Sequence, residues 1–125
     1  EYGKITLLTR FGVDAIEEFF PPIIKAVRKN CHHVLWCCDP MHGNGRVVNG
    51  VKTRYVDDIQ KEYELFESIL QQHHCIPGGI HLEMTPQNVT ECIKNNDSII
   101  DFSNYQSACD PRLNQQQAFD LINTI

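Results

Sequence analysis

Side chains able to bind metals and anions follow four apolar runs of this 125-residue sequence. They are Arg10 in "TRFG", Asp39, His42 and Asn44 in "CDPMHGN", Glu83 in "HLEMT", and Asp110 and Arg112 in "CDPRLN". Short apolar runs of this kind are typical of buried parallel strands. Since α/β proteins build their sites at the carboxyl ends of such strands, the sequence predicts one site shared by several strand ends.

An imidazole and two carboxylates from three of these segments could hold a metal ion. His42, Glu83 and Asp110 form a donor set that suits Mn²⁺, Fe²⁺, Co²⁺ or Zn²⁺. Strand alternation puts His81 on the same face as Glu83, so that Glu83 can point into the mouth of a barrel. Taken singly, the histidine could be an ordinary surface residue and Asp110 a helix cap. Three such residues on successive strand ends favour a divalent metal site.

Three basic residues are candidates for binding anions. Arg10 could hold a phosphate or carboxylate with a bidentate guanidinium contact, and the alternative is a salt bridge to Asp39. Lys52 and Arg54 are candidate phosphate contacts, and the alternative is a solvated basic start to the helix that follows. The segment "GNGRVVNGVKT" is not a nucleotide-hydrolysing P-loop, because one extra residue separates its last glycine from the lysine.

The overall composition describes a soluble globular protein and excludes several classes of partner. A formal charge of −5 argues against nucleic acid and anionic membrane surfaces. The apolar stretches are far shorter than the roughly 20 residues of a membrane helix, and no signal peptide is recognisable. Six cysteines without a CxxC pair predict free thiols in a reducing compartment. We therefore expect a cytoplasmic or plastid location, with no targeting segment in this sequence.

The chain alternates between strand-like and helix-like segments. Strands are predicted at 4–9, 32–38, 78–84 and 105–109, and helices from about 13, over 55–73, over 86–93 and over 114–125. Pro21 and Pro22 are expected to break or kink the first helix, and Thr85 and Pro86 to begin the third. In the second helix, Glu62 and its charged neighbours are expected to lie mostly off the apolar stripe.

This alternation predicts a parallel sheet with helical crossovers. We expect a single partial α/β domain over residues 1–125, namely the last four βα units of a (β/α)8 barrel, because a complete barrel needs roughly 250 residues. The missing initial methionine also suggests that the chain begins inside a longer protein. The alternative is a complete open sheet of four strands. The ring of polar residues at the strand ends favours the barrel.

The motifs "TRFG", "WCCDPMHGN", "GVKTR", "PGGIHLEMT", "VTEC" and "CDPRLN" resemble the C-terminal half of type II 3-deoxy-D-arabino-heptulosonate 7-phosphate synthase. The resemblance extends from residue 4 to about residue 121. It implies a (β/α)8 barrel and the condensation of phosphoenolpyruvate with erythrose 4-phosphate, which releases phosphate. This reaction is the first step of the shikimate pathway to the aromatic amino acids.

The resemblance also implies roles for particular residues. The metal would be held by His42, Glu83, Asp110 and a cysteine from an early strand outside this sequence, so none of the six cysteines is assigned. Mn²⁺ or Co²⁺ is expected, with Zn²⁺ or Fe²⁺ as alternatives. Arg10 would contact the phosphate of phosphoenolpyruvate, and Lys52 and Arg54 would belong to a basic substrate-binding loop. His42 and Lys52 are the expected catalytic residues.

The chain departs from the family pattern at several positions, which leave the three expected ligands and Arg10 intact. Gly45 replaces a threonine after "HGN", and Pro86 replaces a glycine after "HLEMT". "IKNN" stands in place of a glycine pair after "VTEC", and Asn104 replaces an arginine.

Two other functions stay open, together with the state of assembly. The chain could be a truncated or repurposed structural or regulatory subunit, or part of another metal-dependent aldolase. We expect a homo-oligomer formed through the full-length chain. Since half a barrel exposes two sheet edges and the inner strand faces, residues 1–125 alone are expected to be inactive.

Overall fold

The computed structural model describes residues 4–30 and 33–125. Its elements, in chain order, are β1 (Ile5–Thr9), α1 (Ile16–Lys29), β2 (Val34–Cys38), β3 (Gly45–Val48), β4 (Val51–Arg54), α2 (Val56–Gln72), β5 (Pro77–Ile80) and α3 (Gln115–Thr124). The first strand, the second helix and the C-terminal helix confirm their predictions. The second strand is also confirmed from Val34 onward, while its predicted start at His32 lies outside the described residues.

Three parallel strands form the central sheet, in the order β1-β2-β5. Hydrogen bonds of the sheet ladder continue one residue past the strand ends. The Asp39 backbone N–H donates to the Thr9 carbonyl at 2.8 Å, and the His81 N–H donates to the Cys38 carbonyl at 2.7 Å. The residues after all three strands are therefore held at the same edge of the sheet.

Helices α1 and α2 pack with β2 around an aromatic core. The Phe20 ring stacks on Phe66 at a centroid distance of 5.5 Å and meets Trp36 edge-on at 5.3 Å. Of the break or kink predicted at Pro21 and Pro22, the break is wrong, because α1 continues through both residues, and the kink stays a prediction. Prolines remove backbone hydrogen bonds, but the fully buried apolar face of this helix compensates for that loss.

The other face of the sheet carries exposed apolar side chains. Leu8 of β1 and Leu35 of β2 are 43% and 42% exposed, although both lie within strands. Alternation along each strand puts them opposite the face that holds Trp36 and Cys38 in the core. Among the described residues, α1 and α2 cover one face of the sheet and β1 pairs with β2 alone.

Strands β3 and β4 form a β-hairpin in a segment for which the sequence predicts only a long loop. Strands β3 and β4 pair antiparallel, with Val48 opposite Val51. The turn is Asn49-Gly50, and both residues have positive φ, at 51° and 78°. Asn-Gly favours this turn because asparagine and glycine tolerate left-handed backbone angles. The hairpin extends Lys52 toward the carboxyl ends of the sheet strands, and Arg54 stands at its end.

The last third of the chain departs most from the predictions. Strand β5 ends at Ile80, residues 86–93 form no helix, and residues 105–109 form no strand. Instead, an isolated parallel bridge joins Met84 to Leu113, with hydrogen bonds from the Thr85 N–H to the Leu113 carbonyl (2.9 Å) and from the Leu113 N–H to the Glu83 carbonyl (3.0 Å). Irregular backbone here buries Val89, Cys92 and Ile93, so packing outweighs local helix preference.

The architecture is therefore α/β, with a parallel sheet, a separate antiparallel hairpin and two buried clusters. The second cluster lies between the start of α2 and α3 and includes Met41, Ile59, Leu113 and Leu121. Asn114 caps α3 through a reciprocal hydrogen-bond pair with Gln117. In the described part of the chain, every helix is too short or too polar to cross a bilayer.

Candidate metal centre

The structure brings His42, Glu83 and Asp110 together from three separate loops. One donor atom from each of these residues lies within 4.8 Å of the other two. The Nε2 atom of His42 is 3.3 Å from Glu83 Oε1 and 3.9 Å from Asp110 Oδ2. One nitrogen and two oxygen donors at this separation fit a borderline to hard divalent cation. The arrangement is a candidate three-residue metal site.

The candidate site opens toward solvent beside a pocket. All three side chains are about one-quarter exposed. Glu83 and Asp110 line an open pocket of ≈ 470 Å³, to which His81 and Arg112 also contribute. A site that is neither sealed nor flat leaves room for a small substrate next to the donors.

Asp39 orients the imidazole of His42. Its carboxylate oxygens lie 2.8 and 3.0 Å from Nδ1 of His42, and Oδ1 also accepts the backbone N–H groups of Met41 and His42. Complete burial of Asp39 acts to raise its pKa, but the hydrogen bonds from His42 and Met41 outweigh burial and leave the pKa below its ordinary value. The carboxylate therefore stays ionised and can accept a hydrogen bond from Nδ1–H, which turns Nε2 toward the two acids.

Arg54 lies beneath Glu83. The guanidinium Nη1 donates to Glu83 Oε2 and to the Pro111 carbonyl, each at 2.5 Å. Arg54 is only 2% exposed, and its Nε atom has no hydrogen-bond partner in the described part of the chain. The residue fixes one candidate ligand, Glu83, directly and holds the backbone next to another, Asp110. Its predicted contact with substrate stays a prediction, and the alternative of a solvated residue is wrong for Arg54.

Lys52 is exposed and forms an ion pair with Asp110. Its Nζ donates to Asp110 Oδ1, while the Tyr105 hydroxyl donates to the Lys52 carbonyl at 2.9 Å. The hydrogen bond with Asp110 raises the pKa of Lys52, and the same bond lowers the pKa of Asp110. The ammonium group therefore stays charged at the edge of the candidate site.

Buried Glu91, from the "VTEC" motif, organises the loop that carries Asp110. Its carboxylate accepts the backbone N–H groups of Gln106, Ser107 and Arg112, and two more hydrogen bonds from the Arg112 side chain. Burial acts to raise the pKa of Glu91, but the bonds from Arg112, Gln106 and Ser107 lower it to about 2. In the sequence, "VTEC" is distinctive only through its resemblance to the family motif, which does not predict this role.

Arg10 pairs with Asp39 through an Nε–Oδ2 contact of 2.6 Å. The alternative salt bridge considered from the sequence is therefore present. Half of the Arg10 side chain is nevertheless exposed, so the remaining guanidinium nitrogens can still meet an anion. Its predicted role in binding phosphate stays a prediction.

Glu62 of α2 joins the loops after β1 and β2, in contrast to the predicted position of its side chain. It is fully buried, accepts the Phe11 and Gly12 N–H groups at 3.1 and 3.0 Å, and accepts an Asn44 side-chain N–H at 2.7 Å. The expectation that Glu62 lies off the apolar stripe is wrong. Its spacing from Ile59 and Phe66 was the available signal, since residues three and four apart share a helix face.

The remaining polar candidates have structural partners. Asn44 donates to the Pro40 carbonyl as well as to Glu62. Arg112 serves Glu91, as described above. The described cysteines, at 37, 38, 75, 92 and 109, are free thiols, in agreement with the prediction.

Comparison with known proteins identifies the relatives of this chain. The family model described as the Class-II DAHP synthetase family matches residues 1–125. The chain is 44% identical to the phospho-2-dehydro-3-deoxyheptonate aldolase AroG of Mycolicibacterium smegmatis, over 97% of this chain and 27% of that protein. It is 41% identical to the phospho-2-dehydro-3-deoxyheptonate aldolase of Neurospora crassa, over 97% of this chain and 26% of that protein.

A third relative is the probable phospho-2-dehydro-3-deoxyheptonate aldolase of Pseudomonas fluorescens, which is 40% identical over 98% of this chain and 31% of that protein. The chain thus spans 26–31% of the length of these curated relatives. Because the family model covers all 125 residues, the chain belongs to the Class-II DAHP synthetase family.

Proposed function

We propose that this chain is the metal-binding C-terminal part of a 3-deoxy-D-arabino-heptulosonate 7-phosphate synthase. The full-length protein would condense phosphoenolpyruvate with erythrose 4-phosphate and release phosphate, as the first step of aromatic amino acid biosynthesis. The convergence of His42, Glu83 and Asp110 carries this proposal, because three residues distant in sequence offer compatible metal donors within 4.8 Å. A structural or regulatory subunit would have no need for that arrangement.

The same proposal assigns residues 1–125 to the last four units of a (β/α)8 barrel. The exposed leucines on one sheet face and the unpaired edge of β1 support it, since strands of the preceding part of the protein would cover both. Under this assignment, the short bridge between Met84 and Leu113 corresponds to pairing of the last two barrel strands.

In the proposed reaction, His42, Glu83 and Asp110 hold a divalent cation, for which Mn²⁺ or Co²⁺ is the first choice and Zn²⁺ or Fe²⁺ the alternative. Such a cation supplies Lewis-acid polarisation of the aldehyde carbonyl. Arg10 would bind the phosphate of phosphoenolpyruvate through its free guanidinium nitrogens. The fixed positions of these groups would bring the donor carbon and the aldehyde carbon into attack geometry.

Lys52 would supply the mobile positive charge of the site. Its ammonium group is exposed and its pKa is raised by Asp110, so it would stay protonated while contacting a substrate phosphate or donating a hydrogen bond to the reacting oxygen. Arg54, by contrast, would act through Glu83, because its guanidinium is buried beneath that carboxylate.

The direct test measures phosphate release by the full-length protein. Phosphoenolpyruvate and erythrose 4-phosphate are supplied together, with and without a chelator, to the wild type and to His42→Ala. Release that requires a divalent metal and falls at least about 1,000-fold in His42→Ala is expected, since the variant lacks one of the donors that fix the cation. Turnover that ignores both the chelator and the substitution would refute the proposal.

His73→Ala is the matched control. His73 lies just after α2, at the opposite end of the sheet from the candidate site, so its replacement should leave phosphate release close to the wild-type rate. A parallel reaction with each substrate alone checks that phosphate comes from the condensation and not from phosphoenolpyruvate hydrolysis.

A further inference from the structure

We propose that Asp39 is a positioning residue that couples metal binding at His42 to anion binding at Arg10. This inference rests on the proposed function, because it assumes that these two residues bind a cation and an anionic substrate. It goes further by assigning one buried carboxylate the task of orienting both groups.

The surroundings of Asp39 hold its carboxylate in a fixed position between Arg10 and His42. The side chain is fully buried, and its backbone N–H is the last hydrogen bond between β1 and β2. Oδ1 accepts two backbone N–H groups, from Met41 and His42. These backbone hydrogen bonds therefore fix the plane of the carboxylate independently of its side-chain partners, Arg10 and His42.

The side chains of Arg10 and His42 both contact the second oxygen of this carboxylate. Oδ2 lies 2.6 Å from Arg10 Nε and 2.8 Å from His42 Nδ1. A displacement of the Arg10 guanidinium therefore changes the charge next to the His42 ring and the position of that ring. Oδ2 of Asp39 thereby links the candidate cation ligand His42 to the candidate anion contact Arg10.

The contact with Asp39 determines which nitrogen of His42 can bind metal. An ionised carboxylate only accepts hydrogen bonds, so a proton on Nδ1 of His42 satisfies both contacts with Asp39. The lone pair then lies on Nε2, the atom that faces Glu83 and Asp110. Substitution of a carboxylate that holds a ligating histidine in this way typically lowers metal affinity by about 10- to 100-fold.

The contact with Asp39 also leaves the terminal nitrogens of the Arg10 guanidinium available. Asp39 contacts Nε, so the terminal guanidinium nitrogens can be presented to a phosphate or carboxylate. An amide at position 39 would place a neutral group against both partners. We therefore expect Asp39→Asn to weaken binding of the cation and of the anion together.

The test compares Asp39→Asn with Glu62→Gln in the full-length protein. Both substitutions remove a fully buried carboxylate, that of Asp39 just after β2 and that of Glu62 on α2, but Glu62 contacts none of the three candidate ligands in the described structure. Mn²⁺ affinity is measured by isothermal titration calorimetry, and phosphoenolpyruvate affinity by the same method with and without Mn²⁺. Thermal unfolding reports the structural cost of each change.

Asp39→Asn is expected to bind Mn²⁺ about 10- to 100-fold more weakly and to lose most of any enhancement of phosphoenolpyruvate binding by Mn²⁺. Glu62→Gln is expected to lower the unfolding temperature while its Mn²⁺ affinity stays within about threefold of wild type. Equal Mn²⁺ affinity in Asp39→Asn and wild type, or equal losses in the two variants, would overturn the inference.

A measurement on the wild type keeps the inference testable if Asp39→Asn does not fold. Nitrogen-15 NMR of histidine-labelled protein without metal should show His42 protonated at Nδ1, and protonation at Nε2 alone would overturn the inference. A wild type that binds no Mn²⁺ would instead refute the proposed function, so the two failures are distinguishable.

Discussion

Residues 4–80 and residues 81–114 hold the candidate site by different means. The first region consists of regular strands and helices around the stacked rings of Phe20 and Phe66, and its sheet ladder fixes the backbone just before His42. The second region has only two isolated bridges, Met84–Leu113 and Ile93–Tyr55, and no helix or strand of its own. Its order comes from Glu91, which accepts five hydrogen bonds from neighbouring residues.

This difference predicts two separate ways for the site to fail. A cavity in the first region should loosen α1 and the sheet, because apolar packing supports them. Loss of charge in the second region should release the loop of Asp110, because buried charges and their donors replace a strand there. Substitutions in the two regions can therefore distinguish support by packing from support by hydrogen bonds.

The largest expected effect is that of Phe20→Ala. This residue is completely buried between Trp36 and Phe66, and such truncations cost about 3–5 kcal/mol. Amide hydrogen exchange in the full-length protein should accelerate across α1 and β2. Phe19→Ala is the control, because Phe19 is half exposed and its loss should cost much less. Similar exchange in the two variants would contradict the packing argument.

Glu91→Gln should have the next largest effect, about 3 kcal/mol, because it leaves Arg112 and several backbone donors without their charged acceptor. Hydrogen exchange should accelerate in residues 105–113 and stay near wild type in α1. Mn²⁺ affinity should also fall, since Asp110 belongs to the loosened loop. Protection of residues 105–113 equal to that of wild type would show that the loop does not depend on this carboxylate.

Acid should weaken the second region through the same residue. The pKa of Glu91 falls from 4.5 to about 2 in the folded protein, so its ionised form stabilises the fold above the unfolded-state pKa. This contribution should be lost as the pH falls from about 4.5 toward 2. The pH dependence of exchange in residues 105–113 should flatten in Glu91→Gln, and an unchanged slope would exclude Glu91 as its source.

The smallest expected effect concerns the surface of the first region. Arg46 of the hairpin reaches Asp14 at 2.9 Å and Asp58 at 3.2 Å, and the Asp14 side chain is 79% exposed. Asp14→Asn should change stability by less than about 1 kcal/mol, because solvent screens such pairs. Thermal unfolding at low and at 1 M salt measures the difference. A large, salt-independent loss would show that the hairpin needs this contact.

The amino-acid sequence by itself determined most elements of the first region and the C-terminal helix, but not the hairpin of β3 and β4. Helix α2 and strand β1 follow from apolar spacing, and the cap of α3 from Asn114 and Gln117. These features depend on residues close together in the chain, where periodicity and capping rules apply. The candidate ligands were also recognisable, because each follows an apolar run and the motifs resemble one family.

Tertiary structure alone decided how those ligands are held. Burial of Arg54, Glu62 and Glu91 depends on partners 15 to 57 positions away along the chain, which no local pattern specifies. The same contacts replaced the predicted helix over 86–93 and the strand over 105–109 with irregular backbone. Short-range preferences are worth tenths of a kcal/mol per residue, whereas satisfying a buried charge is worth about 3 kcal/mol or more, so long-range contacts prevailed there.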